Sequence, residues 1–235
     1  VTVADGDGSP VSWNYRVTVT GADDAPTLAA VTAGTIAEVD QSATTTDGGL
    51  GGALAGADVD GETLTYGIDG GTAGTGAAAG TVSKAGSYGT LTVTTSTGTY
   101  AFTKNTSAIE ALDAGETVTD TFTMTVGDGD GALVTQSYTV TVTGAEDPAT
   151  QLAFVTQPSS GVAGVMMNPS VTVEVRDQYG NRVTTSTSSV SLVLGNNISS
   201  ATLTGGASVN AVAGVATFGG LSVDKPGIGY TLTAA

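Results

Sequence analysis

The sequence predicts an all-β protein of tandem β-sandwiches strung into an extended rod. Three observations carry that prediction. Short runs rich in Val, Thr and Leu are punctuated by Gly, Asp and Asn, and long helical periodicities are missing. Residues 124–150 (MTVGDGDGALVTQSYTVTVTGAEDPAT) alternate apolar and polar side chains on both sides of an Asp128-Gly-Asp130-Gly turn, the pattern of a β-hairpin. Nearly the same text stands at residues 1–27, offset by 123 positions, with 16 of 27 residues identical. A repeat of that length fits one sandwich.

The repeat divides the chain. Residues 1–26 are expected to be the closing hairpin of a preceding sandwich, with Trp13 and Tyr15 on its second strand. Residues 27–148 are expected to be a complete sandwich. Within it, strands are predicted over residues 32–40, 63–68, 88–95 and 99–103, with one helical turn over 107–112 before the long hairpin. Residues 44–57 are Gly- and Ala-rich and weakly patterned, and residues 69–80 read as a loop. Residues 149–235 are expected to form a different sandwich. Val171, Val173 and Val175 alternate into a turn at Asp177-Gln-Tyr179-Gly180, and further strands follow at 190–194, 201–203, 215–218 and 230–233, one fewer than a sandwich normally has.

Composition narrows the chemistry. The 235 residues contain no Cys and no His, which removes disulfides and Ser-His-Asp catalysis and disfavours a zinc site. No apolar run approaches membrane-spanning length. The net charge is −16, and all of it falls in residues 1–148, with 19 acidic and 3 basic side chains; residues 149–235 carry 3 of each. Such a surface repels nucleic acid and anionic membranes. It suits hard divalent cations, which take several oxygen ligands.

Residues 28–147 resemble the cadherin-like, VCBS-type repeats of large RTX-like bacterial adhesins. The residues that carry this are GTIAE (34–38), ADVDGETLTY (57–66), GTYAF (98–102), ALDAGETVTDTFTMTV (111–126), and DGDG followed by VTVTGAED. Residues 1–27 are similar to the end of the same repeat. Residues 151–235 resemble bacterial immunoglobulin-like domains of the invasin and intimin type, on VTVEVRDQYGNRV and GVATFGGLSVD.

The resemblance implies Ca2+ between modules. At the upper end of the complete sandwich, Asp23, Asp24, Asp58, Asp60, Asp128 and Asp130 are expected to converge. At the lower end, Glu38, Asp113, Glu116, Glu146 and Asp147 are expected to meet, completed by Asp177 of the next domain. LDAGE (112–116) departs by one residue from the cadherin LDRE spacing. Six carboxylates in a short gap repel strongly, and calcium removes that repulsion and stiffens the linker. Any single Asp-Gly pair is explained as a turn former; the set, with acids in both linkers, points to metal.

The implied function is a non-catalytic extender of a bacterial surface adhesin, outside the cell, whose partners are neighbouring repeats. A carboxylate pair is enough for glycoside hydrolysis, but these acids recur with the repeat in turns and linkers. Lys84, Lys104 and Lys225 show no setting distinctive of a Lys-Asn isopeptide bond. The alternative is a surface-layer, sheath or filament subunit, with the N-terminal segment of one copy donated to the open sheet of another.

Overall fold

The computed structural model describes the chain except residues 1, 5, 9 and 159. It is almost entirely β-structure. The N-terminal hairpin is expected across positions that include Val1, Asp5 and Ser9, which lie outside the described residues. What is described there is a short antiparallel pair, β1 (Thr2–Val3) and β2 (Val11–Ser12). Residues 13–20 carry no strand pairing, and Tyr15, Val17 and Val19 are exposed.

The complete sandwich begins with β3 (Thr27–Leu28), β4 (Gly34–Val39), β5 (Ser42–Gly48), β6 (Gly51–Ala53) and β7 (Gly56–Ala57). Then come β8 (Thr65–Ile68), β9 (Thr72–Ala73), β10 (Thr81–Ala85), β11 (Gly89–Thr94) and β12 (Thr99–Lys104). One helical turn, α1 (Thr106–Ile109), leads to the long hairpin of β13 (Thr117–Gly127) and β14 (Leu133–Thr143). Two five-stranded sheets result, in the orders β6-β12-β11-β10-β9 and β5-β4-β14-β13-β8. Strand β14 runs antiparallel to β13 and parallel to β4.

Alternation places the core. Leu91 and Val93 of β11 and Tyr100 and Phe102 of β12 face Ile36, Phe122, Met124, Tyr138, Val140 and Val142 of the other sheet. Edge-to-face contacts join the sheets at Tyr100–Tyr138 (centroids 5.3 Å apart) and Phe102–Phe122 (5.9 Å). The buried Tyr138 hydroxyl donates to Gly49 O at 2.8 Å. Burial, then neighbouring Tyr100, pushes its pKa to about 12.

A second apolar cluster lies further along the chain. The strands are β15 (Gln151–Thr156), β16 (Val171–Arg176), β17 (Ser189–Val190), β18 (Leu192–Leu194), β19 (Leu203–Thr204), β20 (Val209–Asn210), β21 (Val215–Phe218), β22 (Ser222–Val223) and β23 (Leu232–Ala234). One sheet is β15-β16-β21; the others are pairs, β17-β20, β18-β23 and β19-β22. Val171, Val173 and Val175 pack with Val190, Leu192, Ala216, Phe218 and Leu221. Among the described residues, no helix is long and apolar enough to cross a membrane.

Candidate metal centres at the two ends of the sandwich

The upper end is built from two Asp-rich turns and the first linker. Strand β13 ends in Asp128-Gly129-Asp130-Gly131, whose glycines sit at φ +106° and +107°, a region side chains disfavour. Asp128 Oδ1 accepts the Asp130 N–H at 2.9 Å. Its Oδ2 is buried and has no partner. The loop after β7 repeats the device: Asp58 Oδ1 accepts the N–H groups of Asp60 (2.8 Å) and Gly61 (3.1 Å), and Asp58 Oδ2 is left buried and unpaired. The turns thus each use one carboxylate oxygen locally and leave one over.

The linker closes on these turns. The Asp24 N–H donates to Asp60 Oδ2 at 2.9 Å, which brings Asp23 alongside. Asp23, Glu62 and Asp128 each place a carboxylate oxygen within 4.8 Å of the other two. Among the described residues, this is the one group of three acids drawn that close. Glu62 Oε2 is also buried without a partner. Desolvation, then Asp128, Asp130, Asp60 and Asp58, raises the pKa of Asp23. Desolvation, then Asp130, Asp23, Asp58 and Asp128, raises that of Glu62. Like charges gathered without a counter-charge have this effect. Of the six residues expected here, Asp24 enters through its backbone. Glu62 was absent from the expected set, although acids at 58, 60 and 62 already alternate in the sequence.

The lower end differs from expectation in membership. Glu110, at the end of α1, is 4% exposed, Asp147 6% and Asp177 3%. With Glu38 these four act together on Tyr179: burial, then the charges of Glu110, Asp147, Asp177 and Glu38, raise its pKa. Glu38 Oε2 accepts the Ala145 N–H at 2.9 Å, while Glu38 Oε1, Glu110 Oε1 and Asp147 Oδ2 are buried and unpaired. Burial raises Glu38 to about 7, the Ala145 N–H opposes it, and Glu110 and Asp147 add to it. Burial, then Glu110 and Asp177, raises Asp147 to about 6.

Three expected residues stand outside this lower group. Asp113 and Glu116 are exposed and close a local turn, with the Asp113 N–H donating to Glu116 Oε2 at 3.2 Å. Asp113 borders the junction from its exposed side, and Glu110 is the buried acid that this segment contributes. Glu146 is buried but already satisfied. Its Oε1 accepts from the Thr184 N–H (2.8 Å) and hydroxyl, and its Oε2 from the Thr185 N–H (3.1 Å) and hydroxyl. Burial would raise its pKa, but the hydroxyl and backbone donors of Thr184 and Thr185 outweigh it and hold the pKa below the ordinary value. A cleft of about 320 Å³ at this junction is lined by Asp113, Asp147, Asp177 and Asn181 among others.

Two facing sheets with acids gathered at both ends define a cadherin-like sandwich module. Residues 23–144, more than half of the chain, match the bacterial cadherin-like domain, and the chain belongs to that family. No curated protein sequence matches the chain. Residues 151–235 lie beyond the family match.

Proposed function

We propose that this chain is a calcium-rigidified extender segment of a large bacterial adhesin, displayed outside the cell and without catalytic activity. Its cadherin-like unit is of the VCBS type, and the sandwich after it is of the bacterial immunoglobulin-like type. Membership of the bacterial cadherin-like family supports a structural, adhesion-type repeat.

The observation that carries the calcium reading is the upper triad. Asp23 of the linker, Glu62 and Asp128 bring carboxylate oxygens within 4.8 Å of one another, and Asp58, Glu62 and Asp128 each hold a buried oxygen with no donor. Buried carboxylate oxygens without donors are costly unless a cation serves them. An all-oxygen donor set with loose geometry suits Ca2+ better than Mg2+. The ion would supply positive charge that joins the linker to the sandwich. Glu38, Glu110, Asp147 and Asp177 fit a second, looser site, also with buried unpaired oxygens.

Small-angle scattering tests the reading. With calcium the profile should be that of a stiff particle. Excess EDTA should raise the flexibility and lower the mean radius of gyration, since jointed modules are on average more compact than a stiff rod of the same length, and calcium should reverse the change. A profile that does not respond to either addition would sink the proposal. Large particles in both conditions would favour strand donation between copies.

A further inference from the structure

The repeat offset of 123 aligns Gly21-Ala22-Asp23-Asp24 with Gly144-Ala145-Glu146-Asp147. The same linker position is therefore Asp23 before the cadherin-like unit and Glu146 before the following sandwich. The two side chains do different work. Among the described residues, Asp23 is gathered with acids, Glu62 and Asp128. Glu146 faces donors only, the N–H and hydroxyl of Thr184 and of Thr185.

We infer that Glu146 is a metal-independent docking residue, which fixes the following sandwich by recognising the paired Thr184-Thr185 donors. A carboxylate offers about four acceptor directions, and here four donors occupy them. Charge-assisted bonds of this kind are the stronger class. No acceptor capacity remains for a cation. The linker backbone is anchored on the other side as well. The Gln41 N–H donates to Glu146 O at 2.6 Å, Gln41 Nε2 to Asp147 O at 3.1 Å, and the Glu146 N–H to Asp40 Oδ1 at 3.3 Å. Residue 146 thus ties the β4–β5 turn to the next domain through one residue. The choice of Glu over Asp matters, because the additional methylene extends the carboxylate toward the next domain. A partner that fits this position presents two consecutive backbone N–H groups with hydroxyl side chains. A partner rich in carboxylates does not.

The inference stands apart from the calcium reading, and the test separates them. The chain has no Cys, so spin labels can be placed at Thr121→Cys and Asn210→Cys, both exposed, one on each sandwich. Pulsed dipolar spectroscopy then reads the distance distribution across the junction. In EDTA, the chain with Glu146 intact should keep a single narrow distribution. Thr184→Val with Thr185→Val, and separately Glu146→Asp, should at least double its width, while circular dichroism melting shows both sandwiches still folded. Broadening of the unmodified junction in EDTA, to the width of the variants, would overturn the inference. So would variants that stay narrow in EDTA. Loss of calcium from the upper site, at the other end of the cadherin-like unit, moves neither outcome.

Discussion

Without metal, the stability of the cadherin-like unit and its lower junction should fall as pH rises from about 5 to about 7.5. The cause is the set of acids around Tyr179. Burial, then Glu110 and Asp177, lifts Asp147 from 3.8 to about 6. Burial lifts Glu38 from 4.5 to about 7, with Glu110 and Asp147 adding to it. A carboxyl whose folded pKa lies above its unfolded value holds its proton more tightly when folded. Its contribution is present below the unfolded value and is lost as pH rises through the folded one. Above pH 5 the larger part belongs to Glu38, whose folded value of about 7 leaves roughly two units still to be lost, on the order of 3 kcal/mol at about 1.4 kcal/mol per unit; Asp147, at about 6, has roughly one unit left. Glu38 and Asp147 repel each other, so their shifts are one coupled quantity and do not sum. Asp47 and Glu146 are held below their ordinary values and titrate beneath this window. Urea unfolding followed by circular dichroism, in EDTA at both pH values and with calcium at the higher one, reads the effect. The expected result is a loss on the order of 3 kcal/mol between the two pH values in EDTA, restored by calcium. Stability that climbs with pH in EDTA would refute the reasoning, because the lower acids would then ionise without penalty.

Other substitutions probe separate parts of the structure. Asp128→Asn removes the charge of the most buried upper acid and should weaken calcium binding there by roughly tenfold or more, measured by calorimetry. Phe122→Ala leaves a hole between Phe102 and Tyr138 and should cost about 3–5 kcal/mol in urea unfolding. Tyr138→Phe strips the donor from Gly49 O and should cost about 1 kcal/mol in the same assay. Lys104→Ala breaks a partly exposed pair with Asp47 (2.7 Å) and should change stability by less than about 1 kcal/mol.

Strands that face a core on one side and solvent on the other were readable from alternation. The β13–β14 hairpin, β4, β11 and β12 fall where alternation predicts them, because buried apolar residues such as Ile36, Leu91, Val93, Tyr100 and Phe102 alternate with exposed or half-buried ones. Strand β5, SATTTDG, lies at a sheet edge with no fully buried residue, and β6 is exposed throughout, so neither carries an alternating signal. Strand β10 is interior, but its first four residues are all half-buried, which also erases the period. Residues 14–20 alternate as β14 does, but they are not assigned to a strand; in β14 the same pattern is held between β13 and β4. Alternation reports the capacity to pair, not the presence of a partner.

The acids follow the same logic. Asp58 and Asp128 were legible because Asp-Gly turns announce themselves, and Asp23 because it lies in a linker of the repeat. Glu110 was not, since an acid after one helical turn has no pattern around it, and only the packing of α1 brings it to the junction. Glu146 was legible as a linker acid, but its use was not. Its partners lie 38 and 39 residues further along the chain, between β16 and β17.

Calcium titration of the metal-free chain by isothermal calorimetry, at neutral pH, tests the central claim most directly. The account predicts saturable binding in the micromolar-to-millimolar range, with one class of site lost in Asp128→Asn. Absence of saturable heat up to millimolar calcium, or a titration that Asp128→Asn leaves unchanged, would contradict it.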